Sequence, residues 1–371
     1  MNRKRVLIGL ALVVAAGLIV FLATRNRTTD HPDTGVVRVA AILNLTGPSA
    51  RFDAVKQQTL NLALERLRES RPNTRIELRV FDAGGGPEAT TVAVRQALDW
   101  GTTYLLSGTS PTALAIAAQV RSRNPPVVQI ANAASPDFGP PRPGEYRFWV
   151  DWKQEADVVK SIFDTERMNN VLLIHSADPY SQALTNELRE RVKPLTGFVM
   201  REFQYDPAST PDFRPALLRA KAEGAQAVII FGLPPGINAL MSQMSEAGWD
   251  RSLIGGVNIN LAVSAYDTAR LTGPLWVVET EAMQENLRAG SEAENFRSAY
   301  RQRHNENPPF HALYMADALY FIAAARNEAN NQNVQAVELV KRVRTFESAS
   351  GQIGVGEDGN LRFVMGARRI R

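Results

Sequence analysis

From residue 36 onward the chain alternates short apolar runs with stretches in which apolar residues recur every three or four positions, the pattern of repeated βα units and parallel sheet. Val36 to Leu43 and Arg75 to Phe81 read as strands, and between them Val55, Leu60, Leu64 and Leu67 fall at nearly helical spacing. Ala89, Val92, Ala93, Ala97 and Trp100, interrupted only by Gln96, mark one face of a second helix. Tyr104 to Leu106, a helix carrying Ala113, Ile116, Ala117 and Val120, and the strand Val127 to Ile130 complete a first doubly wound series. The rhythm then restarts. A helix bearing Val158, Val159, Ile162 and Phe163 leads to strand Val171 to His175, a helix with Leu184, Leu188 and Val192, and strand Phe198 to Phe203. Helix Phe213 to Ala222, strand Ala227 to Phe231, helix Ile237 to Ala247 and strand Leu253 to Val257 follow, with Gly248 suited to cap the last helix in a left-handed conformation. Two such series in tandem predict two sheets.

The end of the chain leaves this alternation. It predicts strand Leu275 to Thr280, helices around Ser291 to Arg303, Phe310 to Ala329 and Val334 to Thr345, and a hairpin. In the hairpin, Glu357-Asp358-Gly359-Asn360 turns Ile353 to Val355 into Leu361 to Val364.

At the other end, Val6 to Ala23 form an uncharged run of about 18 residues, long enough to span hydrocarbon, behind Arg3-Lys4-Arg5. Residues 1–24 therefore read as a signal peptide or membrane anchor, and 25–35 as a linker. Phe21 sits where a signal peptidase cutting after Ala23 needs a small side chain, which favours an uncleaved anchor; a cut near Ala15-Ala16-Gly17 is the alternative. Either way the basic flank predicts a periplasmic body; uncleaved, residues 6–23 are its tether to the inner membrane.

Composition changes the picture in three places. With 44% hydrophobic and 22% charged residues, the chain can bury sizeable cores and lacks the signature of disorder. Of the net charge of +4, three charges belong to Arg3, Lys4 and Arg5, so the remainder is near balance and nucleic acid is not an expected partner. Cysteine is absent, which excludes disulfides, thiolate metal sites, a cysteine nucleophile and a lipidated cysteine anchor.

Catalytic patterns are poor. His31, His175, His304 and His311 show no helical metal-ligand spacing, and His175, ending an apolar strand, reads as a hydrogen-bonded structural histidine. Gly84-Gly85-Gly86-Pro87 lacks the Lys-Ser/Thr ending of a phosphate loop and reads as a turn. Ser107-Gly108-Thr109-Ser110 does not match a nucleophile elbow. Asp151 and Glu155 could in principle do acid/base work, but the sequence around them reads as a solvated helix start. No catalytic residue, metal or cofactor is expected.

Several segments in order resemble the leucine/isoleucine/valine-binding family of periplasmic receptors, the type I binding-protein fold. Leu45-Thr46-Gly47-Pro48-Ser49-Ala50-Arg51-Phe52 is similar to that family's entry to its first helix, and Asp82 followed by Pro87-Glu88-Ala89 to the opening of its second. Leu106 to Ser110 lies where the family has its strand-end serine loop, Ala133-Ala134-Ser135-Pro136 at its small-residue loop, and Asp178-Pro179-Tyr180 at its Asp-x-x-Tyr segment. Phe346 to Phe363 resembles the closing hairpin.

The resemblance implies an α/β fold of two doubly wound parallel-sheet lobes behind an N-terminal hydrophobic helix. Lobe 1 would comprise residues 36–150 and 283–348, and lobe 2 residues 151–282 and 349–371, with crossings near Val150 to Trp152, Thr280 to Met283 and Ala349 to Gly351. It also implies a cleft lined by Phe52, Ser110, Asn132, Ala134, Ser135, Asp151, Tyr180 and Asn258. Phe52 and Tyr180 would be aromatic walls, with core packing and a loop anchor as their alternatives; Ser110 and Ser135 would be donors, Ser110 equally a helix N-cap. Trp149 and Trp152 would shape the cleft or pack the hinge. Family members that bind amino acids use a hydroxyl near Ala134 and an acid near Val257 or Asn258 for the ammonium group; here Ser135 could replace the first and only Asp151 the second. Leu233-Pro234-Pro235 points to a more apolar pocket.

The function so implied is a receptor that closes around a small polar ligand, an amino acid or related carboxylate or amide, and presents it to a membrane permease of an ABC transporter or to a sensor. An envelope interaction or regulatory protein that has kept the fold is the alternative.

Overall fold

The computed structural model describes residues 35–370 except 48, 85, 139–141, 210, 264–266, 285 and 328–333. The hydrophobic run 6–23 and residues 25–34 of the linker lie outside the described residues, within which no helix is long and apolar enough to cross a membrane.

The first series builds one five-stranded parallel sheet. Its strands are β1 (Val36–Leu43), β2 (Arg75–Asp82), β3 (Tyr104–Ser107), β4 (Val128–Ala131) and β5 (Glu145–Arg147), in the order β2-β1-β3-β4-β5. They alternate with helices α1 (Ala50–Ser70), α2 (Pro87–Asp99) and α3 (Ser110–Val120). β3 and β4 are buried at every position, the continuous burial of strands covered on both faces. β5 carries no apolar run and escapes the sequence pattern. Its Glu145 is nevertheless buried, because Arg121 beyond α3 meets both carboxylate oxygens, at 2.7 and 3.0 Å.

The second series is α4 (Trp152–Glu166), β6 (Asn170–Ser176), α5 (Pro179–Val192), β7 (Val199–Tyr205), α6 (Arg214–Ala222), β8 (Ala227–Phe231), α7 (Pro234–Glu246), β9 (Ser252–Gly255) and β10 (Leu275–Thr280). Its six-stranded sheet runs β14-β10-β9-β8-β6-β7. The edge strand β14 (Met365–Arg369) pairs antiparallel with β10, so this sheet is not wholly parallel as expected. Arg368 Nε reaches Glu279 Oε2 at 2.9 Å across that pair, which assigns a charged chain end to a strand.

Helices α9 (Glu292–His304) and α10 (Phe310–Asn327) pack on α1, the short α8 (Asn260–Val263) having come before β10. Glu292 takes Arg66 Nε and Nη2 at 2.6 and 2.9 Å and the Tyr320 hydroxyl at 2.5 Å, tying α9, α1 and α10 together. α10 is apolar nearly all round and accordingly buried.

The helix expected over Val334 to Thr345 is only α11 (Ala336–Val340). Thr345–Ser348 instead form β11, whose alternating burial puts Phe346 and Ser348 inward against β12 (Gly351–Val355). β12 pairs in turn with β13 (Leu361–Arg362), giving the expected hairpin inside a three-stranded antiparallel sheet.

A second difference concerns α2. Its buried face is Thr90, Ala93, Val94 and Ala97, leaving Val92 51% exposed. Ala93 and Ala97 belong to both possible faces, and a pattern anchored on alanines does not fix the helix's rotation.

Candidate functional site

In both sheets the strand order reverses direction at one point. β1 is followed by β2 on one side and β3 on the other, and β6 by β7 on one side and β8 on the other. In open α/β sheets, loops diverge beyond the carboxyl ends of the strands at such points and leave a crevice for ligands. Every residue expected to line a cleft lies just beyond a strand end, in the first turn of the helix that follows, or, for Asp151, at the start of the second series.

On the first sheet, Ser110 opens α3, but it is not the cap. Thr109 holds that position, its Oγ1 accepting the Thr112 N–H at 3.4 Å. Ser110 Oγ is left to accept the Ser135 N–H at 3.2 Å, which ties the loop after β3 to the loop after β4. Ala134 is half-buried beside it. The Ser135 hydroxyl donates to Asp137 Oδ2 and accepts the Asp137 N–H, both at 3.1 Å, so its proton is already engaged. Asn132 is buried and donates to the His311 carbonyl at 3.0 Å, while its Oδ1 has no partner among the described residues.

Phe52 is not core. It is 39% exposed and lies flat on the His311 ring, centroids 4.0 Å apart and planes within 2°. Behind this stack, Lys56 Nζ sits 4.1 Å from the centre of the Phe52 ring. Lys56 and Asp53 are both fully buried and form an ion pair at 3.0 Å; Lys56 also donates to the Gly108 carbonyl. Asp53 accepts the Asn44 N–H at 2.8 Å and the Asn44 side-chain amide at 3.0 Å. A Cβ at Gly108 would lie 2.7 Å from the Asp53 carboxylate, so only glycine lets the strand end approach so closely. Burial pulls Lys56 down to about 8 against the attraction of Asp53, and burial together with Lys56 pushes His311 down to about 3, leaving a neutral ring.

On the second sheet, Asp178 caps α5 by accepting the Ser181 N–H at 3.0 Å and the Ser181 hydroxyl at 2.7 Å, and this sets Tyr180 at the start of the helix. The buried Tyr180 hydroxyl donates to Glu155 Oε2 at 2.5 Å, and its ring stands edge-on to Trp152. Glu155 Oε1 accepts the N–H of Val257, the residue before Asn258, at 2.7 Å. Asn258 is buried, its Oδ1 without a partner among the described residues.

The reading of Asp151 and Glu155 as a solvated helix start is thus overturned for both. Glu155 lies on the apolar stripe of α4 with Val159 and Ile162 and is buried; burial raises it to about 7, opposed by the bonds from Tyr180 and Val257. Asp151 is buried as well and caps α4 through the Lys153 N–H at 2.9 Å. Its other oxygen is 3.2 Å from Arg362, so it is not available as the replacement acid. Trp149 packs against Phe310 and Tyr314, whereas Trp152 takes the Arg147 guanidinium over its ring at 4.6 Å. Leu233 stands at the N-cap position of α7 without a side-chain capping bond and is half-exposed.

The two sides meet where the 3-10 turn Pro136–Phe138 packs against α5. Cavities of about 310 and 330 Å3 open elsewhere. One lies beside Glu145, Tyr146 and Arg344, the other at the sheet edge between β7 and α5, where buried His175 stands 3.8 Å from Glu202.

Asp53, Lys56, Glu155 and His311 are the residues that the sequence pattern missed. A usable signal existed for three of them. Asp53 and Lys56 continue the buried stripe of Leu60, Ala63 and Leu67 along α1, and Glu155 continues that of α4; a charge in line with an apolar stripe must be buried and therefore partnered or functional.

A family model described as periplasmic binding protein matches residues 36–365. The leucine-, isoleucine-, valine-, threonine- and alanine-binding protein of Pseudomonas aeruginosa is 19% identical over 359 residues, 95% of this chain and 93% of the relative. The similarly named protein of Brucella ovis, in its closed conformation, superposes with a TM-score of 0.75 at 16% identity, over 90% of this chain and 89% of that one. A solute-binding protein of an ABC transporter from Rhodopseudomonas palustris, in complex with 3,4-dihydroxybenzoic acid, gives 0.72 at 18% identity, over 91% and 93%. With the match running from β1 to the first residue of β14, the chain belongs to the periplasmic binding protein family.

Proposed function

We propose that this protein is an extracytoplasmic solute receptor that closes two lobes around a small carboxylate-bearing molecule, an amino acid or a related acid or amide, and hands it to an ABC permease. The lobes are residues 36–150 with 283–348 and residues 151–282 with 349–371, and the run 6–23 tethers them to the inner membrane. One observation carries this reading: polar and aromatic side chains gather beyond the carboxyl ends of both sheets, where the turn Pro136–Phe138 meets α5.

In this reading Phe52 and Tyr180 are the walls. Ser110, at the positive N-terminus of α3, receives the ligand's carboxylate together with neighbouring amides. Asn132, Ala134 and Ser135 line the same side, with Asn258 opposite and Asp151 pinning the crossing. Closure follows because a ligand touching both sides binds the closed state better than the open one. The names of the relatives support the ligand class, since one is named for binding leucine, isoleucine, valine, threonine and alanine and another holds 3,4-dihydroxybenzoic acid.

Thermal-shift screening against amino acids, amides and aromatic acids tests the proposal. A ligand at a hundred times its Kd adds about 2.7 kcal/mol of stability and raises the melting temperature by about 5 °C. If no member of the panel shifts the melting curve, the receptor reading fails.

A further inference from the structure

Of the acids buried in the described residues, Asp53, Glu145, Asp151 and Glu279 each face a Lys or Arg within the protein. Glu155 and Asp317 face none among the described residues. Asp317 lies on α10 and accepts the backbone N–H of Ser350 at 3.1 Å. Glu155 lies at the strand ends themselves, against Tyr180 and the loop that carries Asn258.

A carboxylate offers about four lone-pair positions, and Tyr180 and Val257 take two of them. Gly256 lets the β9 loop approach Oε1 closely, since a Cβ there would collide with that oxygen. Two residues along, Asn258 Oδ1 is a second buried acceptor without a partner among the described residues. An acid buried without a cation is costly to ionise unless a cation arrives. Here the arrangement presents a carboxylate without a cation among the described residues and an unpartnered amide oxygen, while the strand ends of the first sheet present the Ser110 hydroxyl and a helix N-terminus.

Resting on the receptor reading above, we propose that Glu155 receives the ligand's ammonium group, so that the crevice selects amino acids over the same skeletons lacking that group. In this proposal the acid that amino-acid binders of the family carry near Val257, which the sequence offered only Asp151 to replace, is delivered by the first turn of α4.

Binding then carries a proton cost, because burial holds Glu155 near 7 and the ammonium demands the ionised form. The titratable groups facing Glu155 are Tyr180 on α5 and Tyr314 on α10, two phenols that burial pushes far above the neutral range. On its own helix the nearest is Asp151, paired with Arg362; β8 contributes Phe231 and the β9 loop no titratable side chain. Asp317, raised by burial to about 7, titrates over the same interval from its own site.

The test is calorimetric titration of the full chain with the twenty amino acids and their des-amino counterparts, for example leucine against 4-methylpentanoate, at pH 5 to 8. The proposal expects an amino acid to bind at least about tenfold tighter than its counterpart and to weaken about tenfold per pH unit below 7. Glu155→Gln should erase both effects, and Asp317→Asn neither. A des-amino acid bound as tightly as its amino acid, or a pH slope that persists in Glu155→Gln, overturns it and leaves the receptor reading intact. Binding of no small molecule at all overturns both. Should Glu155→Gln fail to fold, the matched pairs and pH slope of the unaltered protein decide alone.

Discussion

The two sides of the crevice bury ionisable groups in the same way and settle them differently. On α1 the buried stripe admits Asp53 and Lys56, which meet each other at 3.0 Å, with Asn44 and the Gly108 carbonyl taking up the remaining bonds. On α4 the stripe admits Glu155 alone, and its partners are a phenol and a backbone amide, both neutral. The first arrangement is complete in itself: opposite charges from one helix turn cancel, and the pair braces the loop after β3 against α1. The second satisfies hydrogen bonding but not charge. The pair on α1 is met from within, whereas under the proposal above Glu155 is left for an incoming group.

Breaking the first pair should have the largest effect. Lys56→Met leaves the Asp53 carboxylate buried without its cation and should cost about 3–5 kcal/mol in urea unfolding. Adding Asp53→Asn should recover much of that loss. A single variant within about 1 kcal/mol of the parent would mean that the pair is not the brace described.

Glu155→Gln should do the reverse, with a pH signature. The folded-state value near 7 lies above the ordinary 4.5, so as pH rises the unfolded chain gives up this proton first. Stability from this group is therefore full below pH 4.5 and lost between 4.5 and 7. The variant should match the parent in acid and exceed it above pH 7, by about 3 kcal/mol at most. Equal stability across the range would show Glu155 to be ionised and matched in the fold.

Why one half of this contrast was easier to foresee follows from what a sequence pattern records. Continuous apolar strands such as Ala227–Phe231 are legible because burial on both faces demands them, and β1, β8 and β10 fall where the pattern puts them. β5 and β14 are not legible, since Glu145 and Arg368 owe their places to Arg121 and Glu279, distant partners that no local period reveals. The same holds at the site. The loops carrying Ser110, Ser135 and Tyr180 could be located by resemblance, but whether a hydroxyl is spent depends on its neighbour: Ser135 is turned to Asp137 and Ser110 to the Ser135 amide. The first-turn position of Glu155 suggests solvent, whereas its spacing to Val159 and Ile162 places it on the buried stripe.

The smallest effect sharpens the comparison from the first side. Ser110→Ala removes the acceptor of the Ser135 N–H and leaves Thr109 capping α3, so only the tie between two loops is lost. That should cost about 0.5–1.5 kcal/mol by chemical denaturation. The Ser110 oxygen accepts one bond from the protein, and its own proton remains to be donated to a ligand carboxylate. Affinity for a carboxylate ligand should therefore fall by about tenfold, more than the stability change accounts for, while the pH slope set by Glu155 stays as it was. A stability loss of that size with unchanged affinity would make Ser110 a brace like Lys56, and would leave the crevice with one recognising side instead of two.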